Sequence, residues 1–364
     1  MNGAVEKKLA HLSALIEMTA LINSTLDTQE IRKRAIEAAT RLTDSETGSL
    51  LLLDPATGEL FFEVALGERG ERLKEIRLKK GEGIAGWVAG HGEPQVVDDV
   101  ANDPRFFRNA DEKSGFTTRN MVSVPVKTKG RALGVLQVIN KKDGRFDEED
   151  MGVLTALSNQ VAVAIENATL YEELRDAFYG TAQALAETIE KRDPYTGGHT
   201  KRVMTYSVAI GRRMGLFRGE LETLKLSAIL HDIGKIGVRD NVLLKEGKLE
   251  SEELHAMNLH PKFGAEILGH VKQLKDVIPG VRGHHENYDG TGYPDGLKDG
   301  AIPLAARIIA VADTFDAMTT DRPYRKALTP EAAFDELKKF SGRQFDSEVV
   351  EAFHTAWKEM DIVL

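Results

Sequence analysis

The chain contains, from His284 to Pro294, the stretch His-His-Glu-Asn-Tyr-Asp-Gly-Thr-Gly-Tyr-Pro. Neighbouring residues on a regular helix point in different directions, so two adjacent imidazoles face one site only where that site is wide or the backbone is irregular. A pair of metal ions sharing ligands would use both imidazoles, whereas the end of a surface helix would use neither. Partner residues elsewhere in the chain decide between these two interpretations.

Two further positions carry an acidic residue next to an apolar stretch. The pair His231-Asp232 follows the apolar residues 224–230, and Asp313 follows the apolar run 308–312. Such residues are expected to be buried, and a buried carboxylate needs a nearby positive charge or hydrogen bonds. The sequence next to Asp313 supplies no such partner, so we expect a bound cation there.

Five imidazoles and two carboxylates form the full set of candidate metal ligands. They are His199, His231, Asp232, His260, His284, His285 and Asp313. This set is too large for one tetrahedral ion but suits two octahedral ions, with Asp232 as the bridging, catalytic carboxylate. Ligands without sulfur favour iron, then manganese, with zinc, cobalt or nickel as alternatives. Two ions about 3.5–4 Å apart can hold a bridging hydroxide and polarise a phosphoryl oxygen, as in phosphodiester hydrolysis.

The composition narrows the class of protein. A length of 364 residues indicates two or more domains, and 41% hydrophobic with 29% charged residues is ordinary for a soluble globular protein. The net charge of −9 argues against DNA or RNA as a partner, because nucleic-acid-binding proteins usually carry a basic face. The absence of cysteine excludes disulfides, thiolate metal sites and iron–sulfur clusters.

The chain shows no signal for a membrane. No apolar run approaches the roughly 20 residues of a membrane span, and the N-terminus lacks the apolar core of a signal peptide. We therefore expect a cytoplasmic protein without a membrane partner.

The N-terminal part of the chain begins with two predicted helices. Residues 4–24 carry apolar positions at helical spacing, and a capping pattern at Asp27 and Glu30 starts a second helix at about 28–43. The first helix, within the segment 1–26, is either an oligomerisation arm or packs on the next domain, and we favour the arm.

Short strands follow, separated by turns. The sequence predicts strands at 49–53, 59–65, 95–97, 121–128 and 133–140. Strands bracketed by helices indicate an α+β domain with one antiparallel sheet.

This region resembles a GAF domain over residues 27–168. The resemblance rests on four motifs in order, Gly83–Val88, Val97–Val100, Asp103–Phe106 and Leu133–Lys141. GAF domains are sensory modules with a pocket beside the sheet for cyclic nucleotides, other small molecules or cofactors. The resemblance therefore implies a ligand, which the sequence does not identify.

A nucleotide signature known from some GAF domains is partly present. Cyclic-nucleotide-binding GAF domains carry an Asn-Lys…Phe…Asp-Glu pattern, which Asn140, Lys141, Phe146 and Asp150 fit, while Met151 replaces the glutamate. These residues either contact a nucleotide or only stabilise the fold, and we favour the second interpretation.

A long helix is predicted over residues 148–191. Its apolar positions alternate in steps of three and four, which is typical of a coiled-coil seam. The seam consists of Leu154, Leu157, Val161, Ala164, Ala168 and Tyr171, extended by Phe178, Leu185 and Ile189. Such a helix is about 60 Å long and exceeds one small domain. We therefore predict a parallel homodimer in which this helix joins a sensor to an output domain.

The C-terminal residues 175–364 resemble the HD-GYP subfamily of the HD hydrolases. The stretch 231–235 matches the HD motif, and 284–294 matches the HD-GYP signature. Further matches are Asp193–His199, His260-Pro261, Asp313–Met318 and Arg322–Arg325. HD-GYP proteins hydrolyse the bacterial second messenger cyclic di-GMP to pGpG or GMP, and the resemblance maps their metal ligands onto the seven residues given above.

One position departs from part of this family. Members with three metals use a glutamate four residues before the histidine that aligns with His199, and here Tyr195 occupies that position. A neutral phenol is a poor ligand, because its usual pKa is about 10. We therefore predict a two-metal site.

Charge suggests roles for the remaining polar residues. Lys235, three residues after Asp232, would flank the metals as a catalytic and substrate-binding group that holds a non-bridging phosphate oxygen. Arg322 and Arg325 would grip the second phosphate. Asp316 would orient a metal ligand or Lys235, and Tyr293 would either stack on a guanine or shape its loop.

The sequence thus predicts a multidomain protein with an α+β GAF domain, a coiled-coil-like linker helix and an all-helical HD-GYP domain. The predicted function is cyclic di-GMP hydrolysis to pGpG or GMP under control of the GAF domain. The alternatives are a non-enzymatic cyclic di-GMP receptor, a phosphodiesterase for another cyclic dinucleotide such as cyclic GMP-AMP, and a di-iron oxygenase. The loop Asp289–Pro294 either shapes the substrate pocket or docks a partner protein.

Overall fold

A computed structural model of the chain describes residues 13–65, 75–192, 197–245, 247–321 and 326–359. The chain divides into two compact units, Met1–Arg175 and Asp176–Leu364. Among the helices described, none is long and apolar enough to cross a membrane.

The first unit contains a six-stranded sheet in the order β3-β2-β1-β6-β5-β4, and every neighbouring pair is antiparallel. The strands are β1 (Ser45–Leu53), β2 (Leu60–Ala65), β3 (Arg77–Leu78), β4 (Gln95–Val97), β5 (Met121–Thr128) and β6 (Arg131–Lys141). The helices are α1 (residues 13–22), α2 (Thr28–Leu42), α3 (Gly83–His91), α4 (Arg108–Ser114) and α5 (Glu148–Arg192). The predicted antiparallel sheet with flanking helices is confirmed, while residues 4–12 of the predicted first helix lie outside the described residues.

Both faces of the sheet are covered, which follows from the alternation of side chains along a strand. Leu50 and Leu136 pack with α2 and α5 on one face, whereas the adjacent Leu51 and Val135 pack with Val88 of α3 on the other. All five side chains are fully buried.

Helix α5 confirms the predicted long helix, but the predicted coiled-coil seam is wrong over its first half. The buried residues there are Leu154, Leu157, Val161, Ala164 and Ala168, which pack into the core of the first unit. They do so because the apolar face of a sheet must be covered, and α5 covers it within its own domain. The exposed apolar side chains of α5 are Val163, Leu170, Tyr171, Leu174 and Leu185.

The residues of the partial cyclic-nucleotide signature contact other residues of the first unit. The side chain of Asn140 donates to Glu46 Oε2 and to the Thr117 carbonyl, both at 2.9 Å. Lys141 Nζ lies 2.6 Å from Asp150 Oδ1. These contacts support the interpretation that the signature residues stabilise the fold.

The second unit is helical, as predicted. After the C-terminal part of α5 it contains α6 (His199–Arg213), α7 (Arg218–Leu230), a 3-10 helix (Ile233–Gly237), α8 (Asp240–Leu243), α9 (Ser251–Met257), α10 (His260–Gly269), a 3-10 helix (Lys272–Leu274), α11 (Ile278–Gly283), a 3-10 helix (Asp299–Ala301), α12 (Leu304–Thr319), α13 (Pro330–Lys339) and α14 (Ser347–Lys358). An aromatic cluster joins α6, α12, α13 and α14 around Phe315, which is fully buried. This cluster holds the middle of α12 in place.

A close backbone approach places the segment 233–237 on α10. A Cβ atom on Gly234 would lie 1.9 Å from the His260 carbonyl oxygen and 2.4 Å from the backbone nitrogen of Gly264. Only glycine permits such an approach. Its consequence is that Asp232, at the start of this segment, lies beside the imidazole of His260, with Oδ1 3.3 Å from Nε2.

We expect Gly234→Ala to lower the free energy of unfolding by about 1–3 kcal/mol, because the added methyl group forces two backbone segments apart. The same displacement should weaken metal binding. Gly269→Ala is the matched control, since a Cβ there meets nothing within 4 Å. Urea unfolding and metal content per chain would measure both effects, and an unchanged Gly234→Ala protein would contradict this account of the packing.

Candidate metal centre

The predicted ligands come mostly from the ends of helices. His199 is the first residue of α6 and His260 the first of α10, while His231 follows the last residue of α7. His284 caps the C-terminus of α11, so the helix has ended before His285. The irregular backbone lets both adjacent imidazoles face one site, with their ring centroids 4.1 Å apart.

The ligand atoms form two groups of three. The groups are His199, His231 and Asp313, and His260, His284 and His285. Within each group the ligand atoms all lie within 4.8 Å of one another. The Nε2 atoms of His199 and His231 are 3.4 Å apart, and those of His260 and His284 are 3.3 Å apart.

The carboxylate of Asp232 lies between the two groups. Its Oδ1 is 3.3 Å from His260 Nε2 and its Oδ2 is 3.5 Å from His231 Nε2. Lys235 Nζ lies 2.7 Å from the same Oδ2. Burial alone would raise the pKa of Asp232, but positive charge at the centre, above all the ammonium group of Lys235, outweighs burial and holds this pKa well below its usual value. Asp232 is therefore ionised and has one oxygen directed to each group.

Three of the imidazoles donate Nδ1–H to a backbone carbonyl three residues earlier in the chain. The distances are 2.7 Å for His231, 2.8 Å for His260 and 2.6 Å for His284. A carbonyl oxygen only accepts, so the proton is on Nδ1 and the lone pair of Nε2 points towards the centre.

The fourth imidazole is oriented by a buried ion pair. His199 Nδ1 donates to Asp316 Oδ2 at 2.7 Å, and Arg202 donates from Nε to Asp316 Oδ1 at 2.5 Å. Burial alone would raise the pKa of Asp316, but hydrogen bonds from His199 and Arg202 outweigh it and lower this pKa. Sequence reasoning anticipated that Asp316 orients a ligand but missed Arg202. The available signal was its position three residues after His199, on the same side of a helix.

The donor set fits a pair of divalent cations. Within each Nε2 pair, two rings that both carry their proton on Nδ1 turn lone pairs towards each other at hydrogen-bonding distance. Burial lowers the pKa values of His231, His284 and His285, the last of them to about 4, which favours the neutral form of these three rings. Burial would also lower the pKa of His199, but its hydrogen bond to Asp316 and the charges of Asp313 and Asp232 outweigh burial and raise it. These lone pairs and the carboxylates would hold two divalent cations, whose charge would offset the repulsion.

The Gly-Tyr-Pro loop folds back onto the second group. The ring of Tyr293 stacks on His285 with centroids 4.9 Å apart and planes inclined by 28°. The Tyr293 backbone N–H donates to the His285 carbonyl at 3.2 Å. A Cβ on Gly292 would lie 2.2 Å from the Asn287 nitrogen, so glycine is required where the loop crosses itself. In this structure Tyr293 therefore both shapes the loop and forms one wall beside the centre.

A buried carboxylate that sequence reasoning missed holds the same loop. Glu286, which is 3% exposed, accepts hydrogen bonds from the backbone N–H groups of Asp295 at 2.7 Å and Leu297 at 3.0 Å. Its position directly after two candidate ligands does not distinguish this structural role from a metal-binding or catalytic one.

The predicted phosphate ligands Arg322 and Arg325, and Tyr195 at the position of the third-metal glutamate, lie outside the described residues. The choice between two and three metals, as far as it depends on Tyr195, stays a prediction. The same holds for the two arginines as phosphate ligands.

Comparison with known protein families identifies both halves of the chain. Residues 25–166 match the GAF domain and residues 183–349 match the HD domain. The chain therefore contains a GAF domain followed by an HD domain, as the sequence motifs predicted. An HD domain is consistent with divalent metal binding at the histidines and aspartates described above.

Curated relatives match over slightly more than half of the chain. The cyclic di-GMP phosphodiesterase response regulator RpfG of Xanthomonas campestris is 41% identical over 53% of this chain and 52% of its own length. A cyclic di-GMP phosphodiesterase of Thermotoga maritima is 41% identical, with 52% of each protein covered. The 3'3'-cGAMP-specific phosphodiesterase 2 of Vibrio cholerae is 35% identical over 59% of this chain and 41% of its own length. This chain thus spans about half the length of these relatives.

We expect Asp316→Asn to weaken metal affinity about 10–100-fold, because the amide loses the charge that holds His199 and Arg202 in place. A competition titration with a chelator would measure this affinity. Asp335→Asn, on the exposed side of α13, is the matched control and should leave the affinity unchanged. Equal affinities for the two variants would show that Asp316 does not position His199.

Proposed function

We propose that this GAF–HD protein hydrolyses cyclic di-GMP to pGpG or GMP at a two-metal centre. The observation that carries the proposal is the ionised Asp232 carboxylate between two groups of three ligands. A centre of this kind suits in-line displacement at a phosphodiester. The relatives named as cyclic di-GMP phosphodiesterases support the choice of substrate.

Nitrogen and oxygen ligands without sulfur favour iron, and next manganese, for this centre. When bound, the ions would supply an activated water nucleophile and neutralise charge that develops on the phosphoryl oxygens. The chain itself orients the ligands. Three backbone carbonyls and Asp316 hold four of the five imidazole rings, and Asp232 is kept ionised by its neighbours.

Lys235 is the proposed ligand of a non-bridging phosphate oxygen. Its ammonium group lies at the edge of the centre, 2.7 Å from Asp232, and its side chain is 17% exposed. An ammonium group in this position attracts the anionic phosphodiester and stabilises it without binding a metal. Arg322 and Arg325 are proposed for the second phosphate from the sequence alone.

A second candidate substrate is 3'3'-cGAMP, because a relative at 35% identity is named for that dinucleotide. A non-enzymatic receptor is a weaker candidate, since all seven predicted ligands surround the centre. A di-iron oxygenase is disfavoured by the ammonium group of Lys235, which a neutral substrate would not need. A cytoplasmic location and a partner protein at the loop Asp289–Pro294 stay predictions of the sequence.

Hydrolysis should be detectable with full-length protein purified anaerobically, loaded with Fe²⁺ or Mn²⁺ and incubated with cyclic di-GMP, followed by chromatographic separation of pGpG and GMP. The double variant His231→Ala/Asp232→Ala should lose both the metal and the activity. The control His255→Ala removes an exposed imidazole on α9 and should retain both. Binding of cyclic di-GMP without turnover by the metal-loaded protein would instead favour the receptor.

We also propose that the GAF domain regulates the HD domain through α5 in a parallel homodimer. Leu157 of α5 is buried in the core of the first unit, and Ile189 of the same helix is buried in that of the second. A rotation or shift of this helix would therefore displace side chains in both cores. The exposed stripe at Val163, Leu170 and Leu174 is the proposed contact between copies.

Light scattering should show a dimer at micromolar concentration for the natural chain. The variant Leu170→Lys/Leu174→Lys should shift the population towards monomer, because opposing copies would then bury like charges. Gln183→Lys, exposed further along α5 and outside this stripe, is the control for added charge. A monomeric natural chain at this concentration would refute the homodimer.

A further inference from the structure

A cavity of about 420 Å³ opens beside the metal centre within the HD domain. Its lining includes two candidate metal ligands, His285 and Asp313, together with Asn287, Thr314 and Gln344. This volume lies in the range of pockets for small ligands and accommodates a nucleobase with its sugar. A nucleobase bound in this cavity would belong to a nucleotide whose phosphate lies at the metal centre.

The lining of this cavity suits a neutral, flat and polar group. The stacked rings of His285 and Tyr293 supply an aromatic wall, and the buried Phe345 supplies an apolar one. Among the described residues, no lysine or arginine lines it. Stacking walls and amide groups without cationic side chains match a base rather than a phosphate.

The amide of Asn287 is held in one orientation by a chain of hydrogen bonds. Thr291 donates its hydroxyl proton to Asp289 Oδ1 at 2.6 Å, because a carboxylate only accepts. The Thr291 oxygen must then accept the hydrogen bond from Asn287 Nδ2, at 3.1 Å. The amide nitrogen is thereby directed to Thr291, which fixes the orientation of the amide and leaves Oδ1 as the acceptor of this lining side chain.

Gln344 differs from Asn287 in the freedom of its amide. Its backbone is tied to the loop after the histidines, where the Tyr288 N–H donates to the Gln344 carbonyl at 3.1 Å. Its side chain is exposed at the rim of the cavity. It can turn its donor or its acceptor to a ligand, so it supports binding of a purine without selecting one.

We propose that this cavity seats one purine base of the substrate and that the oriented Oδ1 of Asn287 selects guanine over adenine. The inference rests on the proposed function, in that the base belongs to a cyclic dinucleotide at the centre. Guanine carries N1–H and N2–H donors on one edge, which an oriented acceptor satisfies. Adenine presents a lone pair at N1 and a C–H at C2, so the same oxygen would face no donor and lose its hydrogen bond to water.

Calorimetric titration of the metal-loaded full-length protein with GMP and with AMP tests the selection directly. We expect GMP to bind at least about tenfold more tightly, as one discriminating base contact allows. Asn287→Leu should abolish the difference. Thr291→Val, which removes only the hydroxyl that orients the amide, should reduce it.

Two other variants separate selection from general binding. Gln344→Leu should weaken both nucleotides to a similar extent and leave their ratio unchanged. Asn241→Leu, at an exposed site on α8, is the matched control and should behave like the natural protein. Equal binding of GMP and AMP by the natural protein, or a preference that survives in Asn287→Leu, would overturn the inference.

The products of 3'3'-cGAMP give a second measurement. If the guanine alone enters the cavity, cleavage should begin at one of the two phosphodiesters and give one linear dinucleotide first, whereas Asn287→Leu should give both. Both products from the natural protein at the outset would count against the pocket. A preference for GMP without hydrolysis of any cyclic dinucleotide would refute the proposed activity while supporting the base site.

Discussion

The repulsion between facing imidazole lone pairs is the constraint around which the HD domain is built. In each of two histidine pairs the Nε2 atoms approach to 3.3–3.4 Å, while hydrogen bonds keep the proton on Nδ1. Burial lowers the pKa values of His231 and His284, one ring of each pair, and so favours their neutral form with a free lone pair on Nε2. Divalent cations would be suited to so many buried donor atoms, which the ends of several helices bring together.

The candidate ligands are held in place by residues and backbone groups that are not themselves candidate ligands. Backbone carbonyls at the ends of helices orient three imidazoles, and the Asp316–Arg202 pair orients the fourth. Two glycines, Gly234 and Gly292, allow backbone segments to approach more closely than any side chain permits. The same loop that contains Gly292 carries Asn287 and Tyr293, so the metal centre and the adjoining cavity are shaped together.

In helix α5, the apolar residues that the spacing assigns to a contact between chains are partly buried in the core of their own domain. Its spacing predicted a seam between two chains, yet the first half of that seam covers the sheet of the GAF domain. A spacing of three and four identifies an apolar face but not its partner, since a domain core and a second helix satisfy it equally. The side chains that α5 leaves exposed, among them Leu170 and Leu174, are those that an intermolecular contact can still use.

The sequence alone predicted five of the six strands, the long helix, both domain types and the set of candidate ligands, because alternation and residue chemistry are local properties. Only the tertiary structure showed that Arg202 pairs with Asp316, that Glu286 holds a loop, and that Tyr293 stacks on His285. Each of these contacts depends on orientation between segments far apart or on an irregular turn. A local sequence pattern contains no information on the relative orientation of distant segments. The groups that support the candidate ligands and their loop can therefore be identified only in the packed structure.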